Sequence, residues 1–335
     1  MARVRRLAGL IDPYILLLLA VVGLAALLPA RGAAADAAQG AATGAIALLF
    51  FLYGARLSTA EALAGLRHWR LHLTIVACTF AVFPLLGLAA RGLVPWLLPP
   101  ELYAGLLFLC LVPSTVQSSI AMTSIARGNV AAAIAAGSFS SLLGILLTPL
   151  LTAALIGGTG IFSPDALLRI GAQLALPFAL GQLLRRWVGG FVTRHRAVLS
   201  LVDRGSILIV VYAAFSQGVT AGIWSQVSWQ RLVALTGVAA VLLAVMLVLT
   251  HYGAVKFGFD RGDRIAIVFA GSNKSLAAGL PMASVLFGAQ AAMAVLPLMI
   301  YHQLQLVVCA VLARRMAREP GQGGQSAPGD GSPSR

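Results

Sequence analysis

Apolar runs of about 20 residues, the length at which one helix crosses a bilayer, recur along the whole chain with short arginine-bearing connectors between them. They fall near residues 13–30, 41–57, 71–91, 102–126, 130–157, 165–188, 199–221, 230–255, 263–287 and 289–313. In lipid every backbone polar group must find its partner within the protein, so runs of this length and composition fold as membrane helices. Composition agrees, because 59% hydrophobic and 10% charged residues over 335 positions leave too little polar surface to cover a globule in water. The expected class is an all-α integral membrane protein with ten transmembrane helices.

Basic residues outnumber acidic ones by 24 to 10. In a soluble domain that excess would suggest nucleic acid, but here the arginines sit in connectors, where cytoplasmic loops of membrane proteins concentrate them. With the amino terminus inside, the interior segments hold Arg3, Arg5 and Arg6, then Arg56, Arg67 and Arg70, and then Arg127. They continue with Arg185, Arg186, Arg194, Arg196 and Arg204, with Lys256, Arg261 and Arg264, and with Arg314, Arg315, Arg318 and Arg335. The outer segments hold only Arg31, Arg91, Arg169 and Arg231. This bias predicts a multi-pass inner-membrane protein with both termini cytoplasmic and no nucleic-acid partner. A basic start before an apolar run ending near Ala33-Ala34-Ala35 also fits a cleaved signal peptide; a retained first helix is favoured because it makes the two halves equal in span number.

Lys274 is the one basic residue left over, and it falls within the ninth run, in Gly271-Ser272-Asn273-Lys274-Ser275. A charge at bilayer depth is expensive and marks a bundle interior, a substrate site or an ion pathway more often than a lipid-facing position. The fourth run carries a matching polar interruption, Pro113-Ser114-Thr115-Val116-Gln117-Ser118-Ser119. Pro113 removes an amide donor and Gly271 relaxes the backbone, so both are read as helix breaks. Interruptions in the same ordinal span of two five-helix halves, which an odd span number turns upside down relative to each other, point to a transporter's midplane site. The expected organisation is one ten-helix unit over residues 1–318, with inverted repeats at about 1–160 and 161–318 and broken, crossing helices four and nine. Residues 319–335 are Gly-, Pro- and Ser-rich with almost no apolar side chain, the composition of a disordered tail, here cytoplasmic.

At these residues the chain resembles the bile acid:sodium symporter family. Pro113, Ser118, Ser119, Gly128 and Asn129 stand in the family's fourth-span pattern, and Thr79-Phe80 with Pro84 in that of the third. Gly137-Ser138-Phe139, Thr148-Pro149, Lys274-Ser275-Leu276 with Gly279 and Pro281, and Tyr301-His302 with Gln305 look like the branch containing solute carrier family 10 member 7 and its bacterial relatives. The resemblance implies a panel domain, and a core domain containing the two crossed helices. Sodium-coupled members place an acidic residue and a glutamine at the ninth-helix break. This chain has no carboxylate there, and Thr79, Ser119 and Ala133 replace family ligands, leaving few strong oxygens for sodium.

The candidate substrate- and ion-binding set is therefore Lys274, Asn273, Ser272 and Ser275 from span nine and Thr115, Gln117, Ser118 and Ser119 from span four, with Ser138, Thr79, His302 and Gln305. An ammonium at Lys274 would repel sodium by about 4 kcal/mol at 4 Å and an effective dielectric near 20. Lys274 is expected to replace the bound cation, donating to Ser118, Ser119 or carbonyls freed by the breaks, or else to cycle a proton. The expected function is secondary transport of a small organic anion by alternating access, coupled to protons or to sodium. Two further readings are a sodium-coupled organic anion symporter and a non-transporting membrane regulator of ion homeostasis or envelope synthesis.

No His-Glu-x-x-His, Gly-x-Ser-x-Gly or phosphate-binding loop occurs, so neither an enzyme nor direct ATP drive is expected, and no cofactor or metal is implied. His68 and His72 have metal-ligand spacing without an acidic partner. Gly40 and Gly44 have the small-residue spacing that allows close helix packing, read here as an internal contact. Oligomeric state is not legible.

Overall fold

Two prolines and one polar triplet interrupt what would otherwise be uniform helices, and they govern the architecture. The structure, a computed structural model, describes residues 13–56, 68–156, 164–222 and 228–318. The expected tail, the first interior loop and the residues before 13 lie outside the described residues. The elements are α1 (Pro13–Leu27), α2 (Ala33–Arg56), α3 (Trp69–Ala77), α4 (Phe83–Ala89), α5 (Pro100–Leu111), α6 (Val116–Ile125) and α7 (Val130–Leu155). They continue with α8 (Pro164–Arg194), α9 (Arg196–Thr220), α10 (Trp229–Lys256), α11 (Arg261–Ser272), α12 (Leu276–Phe287) and α13 (Ala291–Arg318). A π turn over Cys78–Val82 joins α3 to α4. Among the described residues there is no strand.

Among the described residues six helical stretches are long and apolar enough to cross a membrane, or seven when the bent pair α5 and α6 counts as one span. The exterior explains why lipid is the required solvent. In α10 only 28% of the most apolar stretch is buried inside the protein, and Val241, Val248 and Tyr252 face outward. The chain is a multi-pass, all-helical membrane protein.

The helices pack as two groups. One comprises α1, α2, α8 and α9, with α2 lying against both α8 and α9, and α1 against α9. Tyr212 at the core of α9 donates to the carbonyl of Leu28, and Tyr14 of α1 donates to that of Arg204. The other group gathers α3 to α7 with α10 to α13, α13 lying against α5, α10 and α12. The groups meet where α9 touches α12 and α13 and where α8 touches α7.

Gly40 and Gly44 do not make the close internal contact expected of them, since a Cβ at either would meet open space. The backbones that do approach closely are those of α2 and α8. A Cβ on Gly54 would overlap the carbonyl of Phe178, and one on Gly181 would overlap that of Phe51. The small-residue spacing was visible at Gly40 and Gly44, but which face of α2 meets a partner depends on tertiary packing.

Candidate functional site

Pro113 ends α5. The residue before a proline is driven out of the helical region, and Val112 is extended at φ −74°, ψ 154°. The chain resumes as α6 at Val116, bent by 62°. Further along the chain α11 ends at Ser272, and Asn273 is extended at φ −85°, ψ 145°. Ser275 caps α12 by accepting from the amide of Ala278 at 3.1 Å. Gly271 is not the break that the sequence suggested: it is still helical, and its missing side chain admits Thr250 and Cys78 instead.

The breaks lie against each other. The amide of Ser275 donates to the carbonyl of Pro113 at 2.9 Å. The hydroxyl of Ser114 donates to the carbonyl of Ala270 at 2.5 Å, and its amide to Ser140 Oγ at 3.0 Å. Glycines of α7 make room for this crossing, because a Cβ on Gly144 would stand 2.7 Å from the Pro113 ring and one on Gly137 3.0 Å from Val116.

Lys274 is fully buried in this crossing, and its ammonium donates to three backbone carbonyls: Val112 at 2.8 Å, Cys110 at 2.9 Å and Thr79 at 3.0 Å. Each acceptor is freed by a specific local cause. The residue four beyond Cys110 is Ser114, whose amide goes to Ser140, and the one three beyond is Pro113, which has no amide. For Thr79, the amide of Phe83 is taken by the carbonyl of Cys78 in the π turn, and Pro84 again has none to give. Val112 is itself extended. Two prolines thus leave carbonyls without helical donors, and one lysine supplies three N–H groups to them. A lysine ammonium has three donors and no acceptor, so the donor count matches the acceptor count only in the charged form. Phe83 closes the remaining side, its ring centroid 4.0 Å from Nζ, an attractive cation–π arrangement.

The backbone of Lys274 is held as firmly as its side chain. Gln305 accepts from its amide at 2.8 Å and donates to its carbonyl at 2.9 Å. Tyr301 donates to the carbonyl of Ser272 at 2.7 Å. Asn273 reaches Ser118 at 3.4 Å and Ser119 at 3.5 Å, and Ser119 donates to the carbonyl of Phe269 at 3.3 Å. Of the acceptors anticipated for the lysine, the freed carbonyls are the ones used; Ser118 and Ser119 take Asn273 instead.

The residues named from the sequence divide into two sets. Lys274, Asn273, Ser272, Ser119 and Gln305 are buried in the crossing, Ser272 bonding to Val268 of its own helix. Thr79 contributes its carbonyl, while its hydroxyl is spent on Ile75. By contrast Thr115, Gln117, Ser138, Ser275 and His302 line a cavity of about 350 Å³ between the two helix groups, closed on its other side by Leu18, Phe50, Tyr53 and Phe178. His302 also lies 2.8 Å from Gln305, which joins cavity wall to crossing. Ser140, Tyr301 and Phe83 were missed as site residues. Tyr301 stood beside His302 in the quoted motif, whereas nothing local distinguishes Ser140 from other hydroxyls of its helix.

Among the described residues no three His, Cys, Asp or Glu side chains approach closely enough to hold a metal ion.

Comparison with known proteins agrees over most of the chain's length. The profile of the SBF-like CPA transporter family matches residues 12–318. An uncharacterized protein of Pseudomonas aeruginosa is 53% identical over 310 residues, covering 92% of this chain and 93% of that one. YfeH of Escherichia coli K12, named as a symporter, is 48% identical over 319 residues, 95% and 96% of the two chains. Sodium/bile acid cotransporter 7 of Mus musculus is 30% identical over 283 residues, 80% of each. With its broken, apposed helices and a match spanning nearly every described residue, the chain belongs to the SBF-like CPA transporter family.

Proposed function

We propose that the chain moves a small organic anion by alternating access and that Lys274 stands in for the cation that other carriers must bind. Membership of the family makes it a secondary transporter and not an enzyme. The observation that carries the finer reading is the triple donation from Lys274 Nζ to carbonyls of both the third and fourth spans, which ties the two broken helices through one side chain. A bound sodium ion would require several oxygen ligands at short range; here the same kind of carbonyl oxygens surround an ammonium.

The fixed-cation version is supported over proton cycling by donor arithmetic, since a neutral amine has one N–H too few for three carbonyls. The ten-helix arrangement with inverted halves is supported by the paired breaks at Pro113 and Asn273–Ser275. Contacts between the segments assigned to the cytoplasm support their lying on one common side: Arg70 donates to the carbonyl of Phe257, and Arg261 to that of Met316. The substrate occupies the cavity lined by Thr115, Gln117, Ser275 and His302, beside the starts of α6 and α12, whose dipoles favour an anion in that space.

The test is solid-supported-membrane electrophysiology on proteoliposomes, scanning organic anions under separate sodium and proton gradients, with Lys274→Met alongside. Anion-evoked currents that ignore sodium and vanish in Lys274→Met are expected. Sodium-driven currents would overturn the fixed cation, and pH-driven currents would favour the proton-cycling variant. Silence throughout, in protein that is folded by thermal melting, would favour the regulator.

A further inference from the structure

The 350 Å³ cavity opens towards a second, wider space of about 960 Å³, and the two share five wall residues: Arg56, Val116, Gln117, Ser200 and Asp203. Arg56 of α2 and Asp203 of α9 form an ion pair at this junction. Arg204, the next residue along α9, lines the inner cavity, its guanidinium 5.2 Å over the ring of Tyr14, and among the described residues no carboxylate pairs with it. Arg185 and Arg186 line the wider space. Among the described residues Asp203 is the sole acidic one on either wall, where Arg56, Arg185, Arg186 and Arg204 are basic.

We infer that Arg56 and Arg204 form an anion-selecting subsite at this junction, with Asp203 as the resident counter-ion that an incoming organic anion displaces from Arg56. This deepens the transport reading by naming the groups that take the substrate's charge, and it rests on that reading for identifying the cavity as substrate space. A guanidinium presents its donors in a planar fork suited to carboxylate, sulfonate or phosphate oxygens, and Arg56 and Arg204 bring two such forks to the lining of one cavity. Asp203 engages Arg56 through Oδ2 alone, its Oδ1 being buried with no hydrogen-bond partner among the described residues. An anion that reaches both arginines competes with that single oxygen for Arg56. The same cavity is also lined by apolar side chains, Leu18, Phe50, Ile145, Phe178, Leu276 and Met282. That combination of volume, apolar wall and paired cations fits an amphipathic anion whose apolar body lies along the cavity and whose charged group faces the junction.

The full chain in phosphatidylcholine nanodiscs is titrated with 2-naphthalenesulfonate, 2-naphthol and 2-naphthylmethylammonium, three probes with one apolar body and different charge. Saturation-transfer NMR reads the dissociation constants, with empty nanodiscs correcting for partition into lipid. The sulfonate is expected to bind at least about tenfold more tightly than the other two, and Arg204→Gln or Arg56→Gln to weaken it by about tenfold each, one charge-assisted contact. Asp203→Asn is expected to tighten it, because the competitor for Arg56 loses its charge. Equal binding of all three probes, or sulfonate binding unmoved by Arg204→Gln in protein that melts normally, would overturn the inference. Loss of sulfonate binding when phosphatidylglycerol is added, with that lipid retained through purification, would overturn the assignment to a soluble anion in favour of a lipid headgroup. Arginine-dependent binding without currents in proteoliposomes leaves the subsite standing and defeats the transport reading. Currents whose apparent affinity is unchanged in Arg204→Gln do the reverse.

Discussion

Lys274 Nζ and the carbonyl of Val112 stand 2.8 Å apart although 162 residues separate them in sequence. The contact joins the residue before one helix break to the centre of the other, so the two broken spans are tied at the point where each has lost its own hydrogen bonding. Sealed at 0% exposure, this ammonium is a structural charge beside the cavity and not a group on its wall.

Replacing Lys274 with Met removes three donors from three buried carbonyls while conserving most of the side-chain volume. We expect a loss of about 3–5 kcal/mol, the range for breaking a buried charged network. Unfolding in detergent, followed by helical circular dichroism, checks this. An unchanged midpoint would mean that the carbonyls find other partners and that the lysine does not hold the crossing.

Sodium should not stabilise the protein. A ligand at 100 times its dissociation constant stabilises by about 2.7 kcal/mol, which a thermal melt would resolve. With an ammonium in the cation's place, melts in sodium chloride and in choline chloride are expected to coincide. A higher midpoint in sodium would reveal a cation site that the Lys274 reading denies.

Tyr301→Phe isolates one bond of the crossing, the 2.7 Å donation to the Ser272 carbonyl. Tyr301 is fully buried, so no water replaces the hydroxyl. The expected cost is about 1–3 kcal/mol, the penalty of an unsatisfied buried acceptor. Transport is expected to survive at reduced thermal stability.

Gly181→Ala and Gly40→Ala form a matched pair. At Gly181 the new methyl would overlap the backbone carbonyl of Phe51, which cannot rotate away, while at Gly40 it meets open space. We expect Gly181→Ala to cost about 1–3 kcal/mol or more, the range for overpacking, and Gly40→Ala to be neutral or slightly stabilising. Equal effects would mean that α2 and α8 are not in close contact.

Much of the candidate site was legible because its causes are local. Pro113 ends a helix wherever it lies in one, and the charge of Lys274 is costly at any membrane depth. Ser275 was named from the sequence as a binding residue, and the structure adds that it caps α12. Gly271 misled because glycine permits a break without requiring it; the interruption came two residues later, where Gln305 of α13 binds the Lys274 backbone. Ser140 could not be found in sequence, since its hydroxyl matters only because α7 carries it to the amide of Ser114.

The sequence by itself determined the solvent, the family, the break at Pro113 and the polar segment that holds the second interruption, because run length, proline chemistry and the cost of an intramembrane charge act on neighbours along the chain. Tertiary structure alone decided that the carbonyls orphaned by Pro84 and Pro113 converge on one ammonium, that this ammonium is shut off from the cavity, and that Arg56 meets Asp203. Those outcomes join groups as far apart as 195 residues, Lys274 and Thr79. No local propensity encodes which freed acceptor will face which buried donor; the packing of two helix groups does.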